Sequence, residues 1–313
     1  MMRAVITGAT GLIGSRLVRE FSNPVVLSRD PARAKARLGD GVSVFTWLPE
    51  SSPAPAEAFA DVDVVFHLAG EPIGEGRLTA RRRRAILDSR VNGTRNLISS
   101  LKSVEKRPTV LVAASAVGYY GDRGDETLTE SSAAASTFLA EVCQAWEAES
   151  MKAKDLGLRV VVSRTGIVLA PEGGALKRML PPFRFCLGGV LGNGRQWMSW
   201  VHIDDVIGLL LHAARNGAVH GPMNVVSPNP VTNKTFTRTL GHVLRRPAVL
   251  KVPTLGLKIA FGELSQLLLS SQRVLPQVAR DTGYQFAFDK LEHALETCVL
   301  RSAHPRASSS DPV

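Results

Sequence analysis

Three cysteines are spread over 313 residues, at Cys143, Cys186 and Cys298. Such spacing offers no disulfide framework and no cysteine-rich metal site, so no metal is expected. It fits a reducing compartment. Aromatic residues are scarce at 6%, and only three are tyrosines, which leaves few phenols for acid–base chemistry. No apolar run reaches the roughly 20 residues of a membrane span, so no membrane is expected as a partner. Acidic residues are in deficit: 28 stand against 38 lysines and arginines, a formal charge of +10. A basic chain can attract nucleic acid non-specifically. Part of this excess lies in Arg81–Arg84 and part in the tail. We read it as a solvated helix face, with no specific nucleic-acid site. The chain enters an apolar segment at Ala4, which leaves no room for a signal or transit peptide. A cytoplasmic location is expected.

That first apolar segment, Ala4-Val5-Ile6, runs into three glycines, Gly8, Gly11 and Gly14. A helical pattern follows through Leu17, Val18 and Phe21. Strand, glycine turn and helix make the setting of a dinucleotide fingerprint, here spaced G-x-x-G-x-x-G. Without a Cβ, the turn lets backbone N–H groups approach a pyrophosphate. The helix start adds the positive end of its dipole. A second strand, Val25–Leu27, ends at Ser28-Arg29. An acidic residue at that place would hold a ribose 2′-hydroxyl. A hydroxyl and a guanidinium fork suit a 2′-phosphate instead, so NADP(H) is expected over NAD(H). Asp30 competes for the ribose, but Asp30-Pro31 has the pattern of an N-cap and first helical residue.

Further strands are expected at Val42–Phe45, Val62–Gly70, Val110–Ser115 and Val160–Leu169. The fourth is almost continuously apolar, as a buried parallel strand is. His67 within it reads as a satisfied strand residue. Leu68, Ala69 and Gly70 fall at the carboxyl edge, where ligands bind in open α/β sheets. The fold class is therefore α/β: a Rossmann-type doubly wound parallel sheet with a smaller C-terminal substrate lobe. Residues 1–170 form the NADP-binding domain. Residues 171–300 form the lobe, with room for the chain to interleave the two. In the lobe we expect a helix 205–215 capped by Asp204, a strand Met223–Val226, a helix from Asn233 and a strand Val249–Pro253. Gln196 and His202 are pocket candidates, and Trp197 and Trp200 serve as pocket wall or core. Residues 301–313 are polar and Ser-rich, so a disordered tail is expected.

Several segments together resemble one known family. Thr7–Gly14 resembles the TGxxGxxG loop of extended short-chain dehydrogenase/reductases. Ser89–Leu97 resembles their N-V-x-G-T-x-N-L helix, with Arg90 where an asparagine is usual. Ser115–Asp122 resembles their S-x-x-V-Y-G segment with one extra residue. Phe138–Glu147, Leu187–Asp205 and Gln272–Pro276 narrow the likeness to the atypical epimerase family branch 39U, over residues 3–300. The resemblance implies NADP(H) held by Gly8, Thr10, Gly11, Leu12, Ile13, Gly14, Ser28, Arg29, Leu68, Ala69, Gly70, Arg90 and Val168. It also implies a family-specific C-terminal segment. Leu78 departs from the tryptophan usual there. Ser115 matches the residue that polarises the substrate oxygen. The usual Tyr-x-x-x-Lys pair does not match: Leu139 and Cys143 fall on its positions. Ser115 with Tyr119 or Tyr120 is then the expected catalytic group. Met198 stands where an arginine would pair with a diphosphate, so nucleotide-diphosphate sugars are expected to bind poorly. The implied activity is that of an oxidoreductase or epimerase acting on an unknown small molecule, with a homodimer as candidate assembly. The alternative is a non-catalytic NADP(H)-dependent sensor or cell-division-associated binding protein.

Overall fold

The computed structural model describes residues 2–74 and 76–303. Five early strands are β1 (Ala4–Thr7), β2 (Val25–Ser28), β3 (Ser43–Thr46), β4 (Val64–His67) and β5 (Val110–Ala116). With Arg159–Thr165 and Gly221–Val225 they build a seven-stranded sheet. Its order is Gly221–Val225, Arg159–Thr165, β5, β4, β1, β2, β3, and every pairing is parallel. Val64-Val65-Phe66 and Val160-Val161-Val162 show why: β-branched and aromatic side chains are needed on both faces when helices cover both. Alternation divides the strands between two cores. Ile6, Phe66 and Val112 face one layer, which includes Leu17 and Leu210. Val5, Val65 and Leu111 face the other, with Leu97 and Leu101.

The sheet is covered by α1 (Leu12–Leu17), α2 (Pro31–Leu38), α3 (Ala80–Lys102), α4 (Phe138–Met151) and α6 (Ile203–Arg215), while α5 (Gly174–Arg184) and α7 (Asn233–Leu244) belong to the lobe. Asp30 caps α2 by accepting the Arg33 N–H at 2.9 Å, with Pro31 first in the helix. The cap of α6 differs from expectation. His202 caps it, Nδ1 accepting from the Asp204 N–H at 3.2 Å, and Asp204 lies inside the first turn. An imidazole nitrogen accepts as a carboxylate does, and the helix starts two residues early.

The boundary expected at residue 170 is crossed. The strand expected in the lobe at Met223–Val226 spans Gly221–Val225 and forms the edge of the main sheet, pairing with Arg159–Thr165. The chain leaves that sheet at Ile167–Leu169, which pairs in parallel with Trp200–His202. The lobe packs α5, α7 and the last helix, Leu291–Ala303, around Leu176, Trp200, Phe236, Leu240 and Leu295. Trp200 is thus core, and Met198 is buried beside it. Residues 301–303 belong to the last helix, and the rest of the expected tail, 304–313, lies outside the described residues.

The C-terminal segment is tied back onto α6 by one carboxylate. Asp205 accepts from the Ala287 and Phe288 N–H groups, both at 2.9 Å, and from the Tyr284 hydroxyl at 3.1 Å. Burial raises the Asp205 pKa, and these donors oppose that rise. Asp205→Ala leaves the Ala287 and Phe288 N–H groups without a partner, while the Tyr284 hydroxyl keeps the Asp205 carbonyl, so unfolding free energy in urea should fall by about 2–6 kcal/mol, taking about 1–3 kcal/mol for each orphaned group. A loss below about 0.5 kcal/mol, the scale of an ordinary surface substitution, would refute this tether.

Candidate functional site

Parallel strands bring their carboxyl ends to one edge, so Gly8, Ser28, Leu68 and Ser115 share it. The glycine turn there has little freedom. Gly8 has φ +67°, and a Cβ on it would lie 2.8 Å from the Leu68 carbonyl. A Cβ on Gly14 would lie 2.3 Å from the Gly8 oxygen. Gly11 sits at the start of α1 with no side-chain cap, and its own N–H closes the turn on the Gly8 oxygen at 2.9 Å. The first N–H groups of the helix are therefore left for a ligand. Thr10, Leu12 and Ile13 are half-buried around it, and Leu12 packs against Gly173 and Gly174. A turn packed too tightly on its own backbone to admit a Cβ at Gly8 or Gly14, with helix N–H groups open at its end, fits a dinucleotide phosphate.

A buried polar chain holds this turn to the neighbouring strand. Thr7 Oγ1 accepts from the Leu68 and Ala69 N–H groups, each at 3.1 Å. Its own proton then goes to His67 Nδ1 at 2.8 Å, which leaves Nε2–H to donate to Thr94 Oγ1 at 2.9 Å. The tautomer follows from the acceptor count. Burial lowers the His67 pKa to about 4, so the ring is neutral. It is structural, as its place in the strand implied.

Ser28 ends β2 half-buried, and its hydroxyl is spent locally: it donates to the Asp30 carbonyl at 3.0 Å and accepts from the Asp30 N–H at 3.2 Å. Arg29 is exposed beside it. Leu68 and Ala69 are half-buried and Gly70 is exposed. Arg90 is buried beneath them, donating to the Glu71 and Ile86 carbonyls at 3.0 and 3.1 Å and lying 4.9 Å from the Trp146 ring. Its guanidinium carbon is 3.2 Å from where a Gly70 Cβ would be. Val168 is half-buried on the short strand Ile167–Leu169.

Ser115 belongs to a network that the sequence reading missed. Its hydroxyl donates to Glu147 Oε1 at 2.6 Å. Arg164 Nε and Nη2 bind the same carboxylate at 2.9 and 2.7 Å. Arg164 Nη1 donates to the Tyr120 hydroxyl at 3.0 Å, which donates to Asn224 Oδ1 at 2.7 Å. Burial pushes the Tyr120 pKa up to about 12 against the pull of Arg164. Tyr119 differs: it is half-buried, the Arg164 guanidinium lies 3.5 Å from its ring centre, and its hydroxyl makes no hydrogen bond among the described residues. One face of α4, at spacing four, looks onto this edge. Leu139 packs near Gly118, the Cys143 thiol points at the Ala116 carbonyl and Glu147 meets Ser115. Burial and then Glu147 push the Cys143 thiol up. The pocket candidates of the lobe are held internally. Gln196 Nε2 donates to the Leu191 and Leu268 carbonyls, and His202 caps α6 under Phe288. Trp197 donates to Asp125 Oδ1 at 2.8 Å.

A glycine cradle at the carboxyl edge of a doubly wound parallel sheet defines a dinucleotide-binding Rossmann protein. Residues 4–226 match the NAD dependent epimerase/dehydratase family and residues 252–298 match DUF1731, a domain of unknown function. The chain belongs to that family, in the branch of epimerase family proteins that end in DUF1731. It is 37% identical to epimerase family protein YfhF of Bacillus subtilis over 303 residues, 95% of this chain and 98% of that one. It is 37% identical to the chloroplastic SDR39U1 homolog of Arabidopsis thaliana, over 95% and 87% of the two chains. The crystal structure of human epimerase family protein SDR39U1 with NADPH matches at TM-score 0.84 and 32% identity, covering 96% of this chain and 99% of that one.

His67 makes the turn sensitive to acid. Its folded pKa of about 4 lies below the unfolded 6.5, so the unfolded state binds the extra proton between them. Stability should be full above pH 6.5 and fall toward pH 4, by up to about 3 kcal/mol. Urea unfolding across that range, compared between the native chain and His67→Gln, checks this. An unchanged slope in the variant would remove His67 as the cause.

Proposed function

We propose that this protein is an NADP(H)-dependent oxidoreductase or epimerase of a small molecule, working without the Tyr-x-x-x-Lys pair. Ser115 orients the reacting oxygen and Tyr119 carries the proton. The observation that carries this is the contrast around Arg164: the Tyr120 hydroxyl is locked in the core, whereas the Tyr119 hydroxyl has no hydrogen-bond partner among the described residues. The NADPH of the human relative and the Ser28-Arg29 pair both support NADP(H). When bound, the nicotinamide gives or takes a hydride.

The chain supplies the rest. The turn of Gly8, Gly11 and Gly14 binds the pyrophosphate, and Arg29 meets the 2′-phosphate. Glu147 accepts the Ser115 hydroxyl proton in a hydrogen bond, which leaves the Ser115 oxygen to accept from a substrate hydroxyl and hold it for Tyr119. The Arg164 guanidinium lies over the Tyr119 ring, 3.5 Å from its centre, and holds that ring at the site. Tyr120 and Arg90 are framework. A second reading, a non-catalytic NADP(H) sensor, is favoured by Leu139 and Cys143, which face the site with side chains unsuited to neutral-pH proton transfer. Oxidation of NADPH on exposure to a carbonyl library supports the enzyme; NADPH-dependent capture of a protein partner without turnover supports the sensor.

Arg29→Ala should weaken NADPH about tenfold or more in calorimetry, the value of one charge-assisted contact, with NADH little changed. Equal loss for both would reject the assignment. Once a substrate turns over, Tyr119→Phe should lower kcat about 100-fold or more at unchanged NADPH affinity. Full kcat in that variant would eliminate Tyr119 as the proton carrier.

A further inference from the structure

The formal charge of +10 is unevenly placed. Residues 173–262 carry eleven lysines and arginines against two aspartates, a local excess of nine. Both aspartates, Asp204 and Asp205, are in the first turn of α6. Four of these cations, Lys234, Arg238, Arg246 and Lys251, line a cleft of about 450 Å³ between α7 and the strand Leu250–Val252.

Local structure explains the cleft. Lys234 and Arg238 are four apart on α7, so they share a helix face, and His242 follows at the same spacing. Arg245 then takes a left-handed conformation, φ +53°, and the chain reverses along the helix. Gly241 permits that reversal: a Cβ there would lie 2.8 Å from the Ala248 Cβ. The returning chain brings Arg246 and Lys251 to the opposite wall. Val249 and Leu250 complete it, 81% and 45% exposed. Among the described residues no ion pair or side-chain hydrogen bond engages Lys234, Arg238, Arg246 or Lys251. His242 lies at the margin, 3.5 Å from the exposed Glu292.

Four unpaired cations facing one another cost repulsion that a bound anion would relieve. A carboxylate, with one charge, is satisfied by a single guanidinium. A phosphate ester brings up to two charges and three oxygens, enough for donors from two walls. We propose that this cleft is a second binding site, separate from the cofactor edge, for a phosphate-bearing ligand whose apolar part rests on Val249 and Leu250. A soluble organophosphate and a phospholipid headgroup share that chemistry.

The test uses the full chain saturated with NADPH, so that the cofactor cradle is filled. Calorimetry with pyrophosphate and co-sedimentation with phosphatidylcholine vesicles containing phosphatidic acid form its two arms. Saturable pyrophosphate binding supports a soluble source; vesicle binding alone supports the headgroup. Either should weaken about tenfold or more in Arg238→Glu/Lys251→Glu and also with added salt. The milder Arg238→Gln/Lys251→Gln serves if charge reversal impairs folding, and unchanged NADPH affinity certifies both variants. Absence of binding in both arms, or binding indifferent to these substitutions, would overturn the proposal.

Discussion

Arg164 and Glu147 form the buried ion pair on which the site depends. Their side chains are 4% and 11% exposed. Taking two charges out of water is costly, and such a pair holds only when its remaining hydrogen-bonding groups are matched. Here they are. Arg164 spends Nε and Nη2 on the carboxylate and Nη1 on the Tyr120 hydroxyl and the Glu130 carbonyl. Burial alone would lower the Arg164 pKa, but the bonds to Glu147 outweigh that, and the guanidinium stays charged. The return is geometry more than stability. One guanidinium fixes β5, α4, the strand Arg159–Thr165 and the 119–130 segment against one another. Removing a single partner of such a pair costs about 3–5 kcal/mol, because the other charge is then stranded.

The C-terminal segment completes that geometry from outside. Arg273–Val274 pairs in parallel with Thr127–Leu128. Gln272 Nε2 donates to the Val117 carbonyl at 3.0 Å, and the Ser271 hydroxyl donates to that of Gly124. Asn224, from the edge strand of the main sheet, donates to the Leu275 carbonyl at 2.9 Å while accepting from Tyr120. The segment matching DUF1731 therefore braces the turn that presents Tyr119. This gives a physical reason for the two matched regions to occur on one chain: the loop after β5 draws part of its hydrogen bonding from residues some 150 positions later.

The glycine turn obeys a different constraint, close approach. Gly8 and Gly14 are required because backbone occupies the space a Cβ would need. Thr7, His67 and Thr94 then fix the spacing of β1, β4 and α3 beneath the turn. No charge is involved, so this part of the site is insensitive to ionic strength; burial shields the Arg164 pair from salt as well, whereas the exposed cations of the lobe are screened by it.

Local pattern determined much of this protein. Apolar runs bounded by turns marked β1, β4 and β5. Asp30-Pro31 marked the start of α2, and the three glycines marked the cradle, because each signal lies within a few residues. Ser28, Arg29 and Leu68–Gly70 were placed at the sheet edge by the same logic. Only the tertiary structure decided what lies between distant positions. It put Gly221–Val225 into the main sheet, because an edge strand reads the same wherever it pairs. It let His202 displace Asp204 as a cap. It separated Tyr119 from Tyr120, adjacent in sequence and identical in chemistry, since burial and the reach of Arg164 and Asn224 are set by packing. The Ser115–Glu147–Arg164 triad joins three elements across some fifty residues, and no periodicity in the chain encodes that meeting.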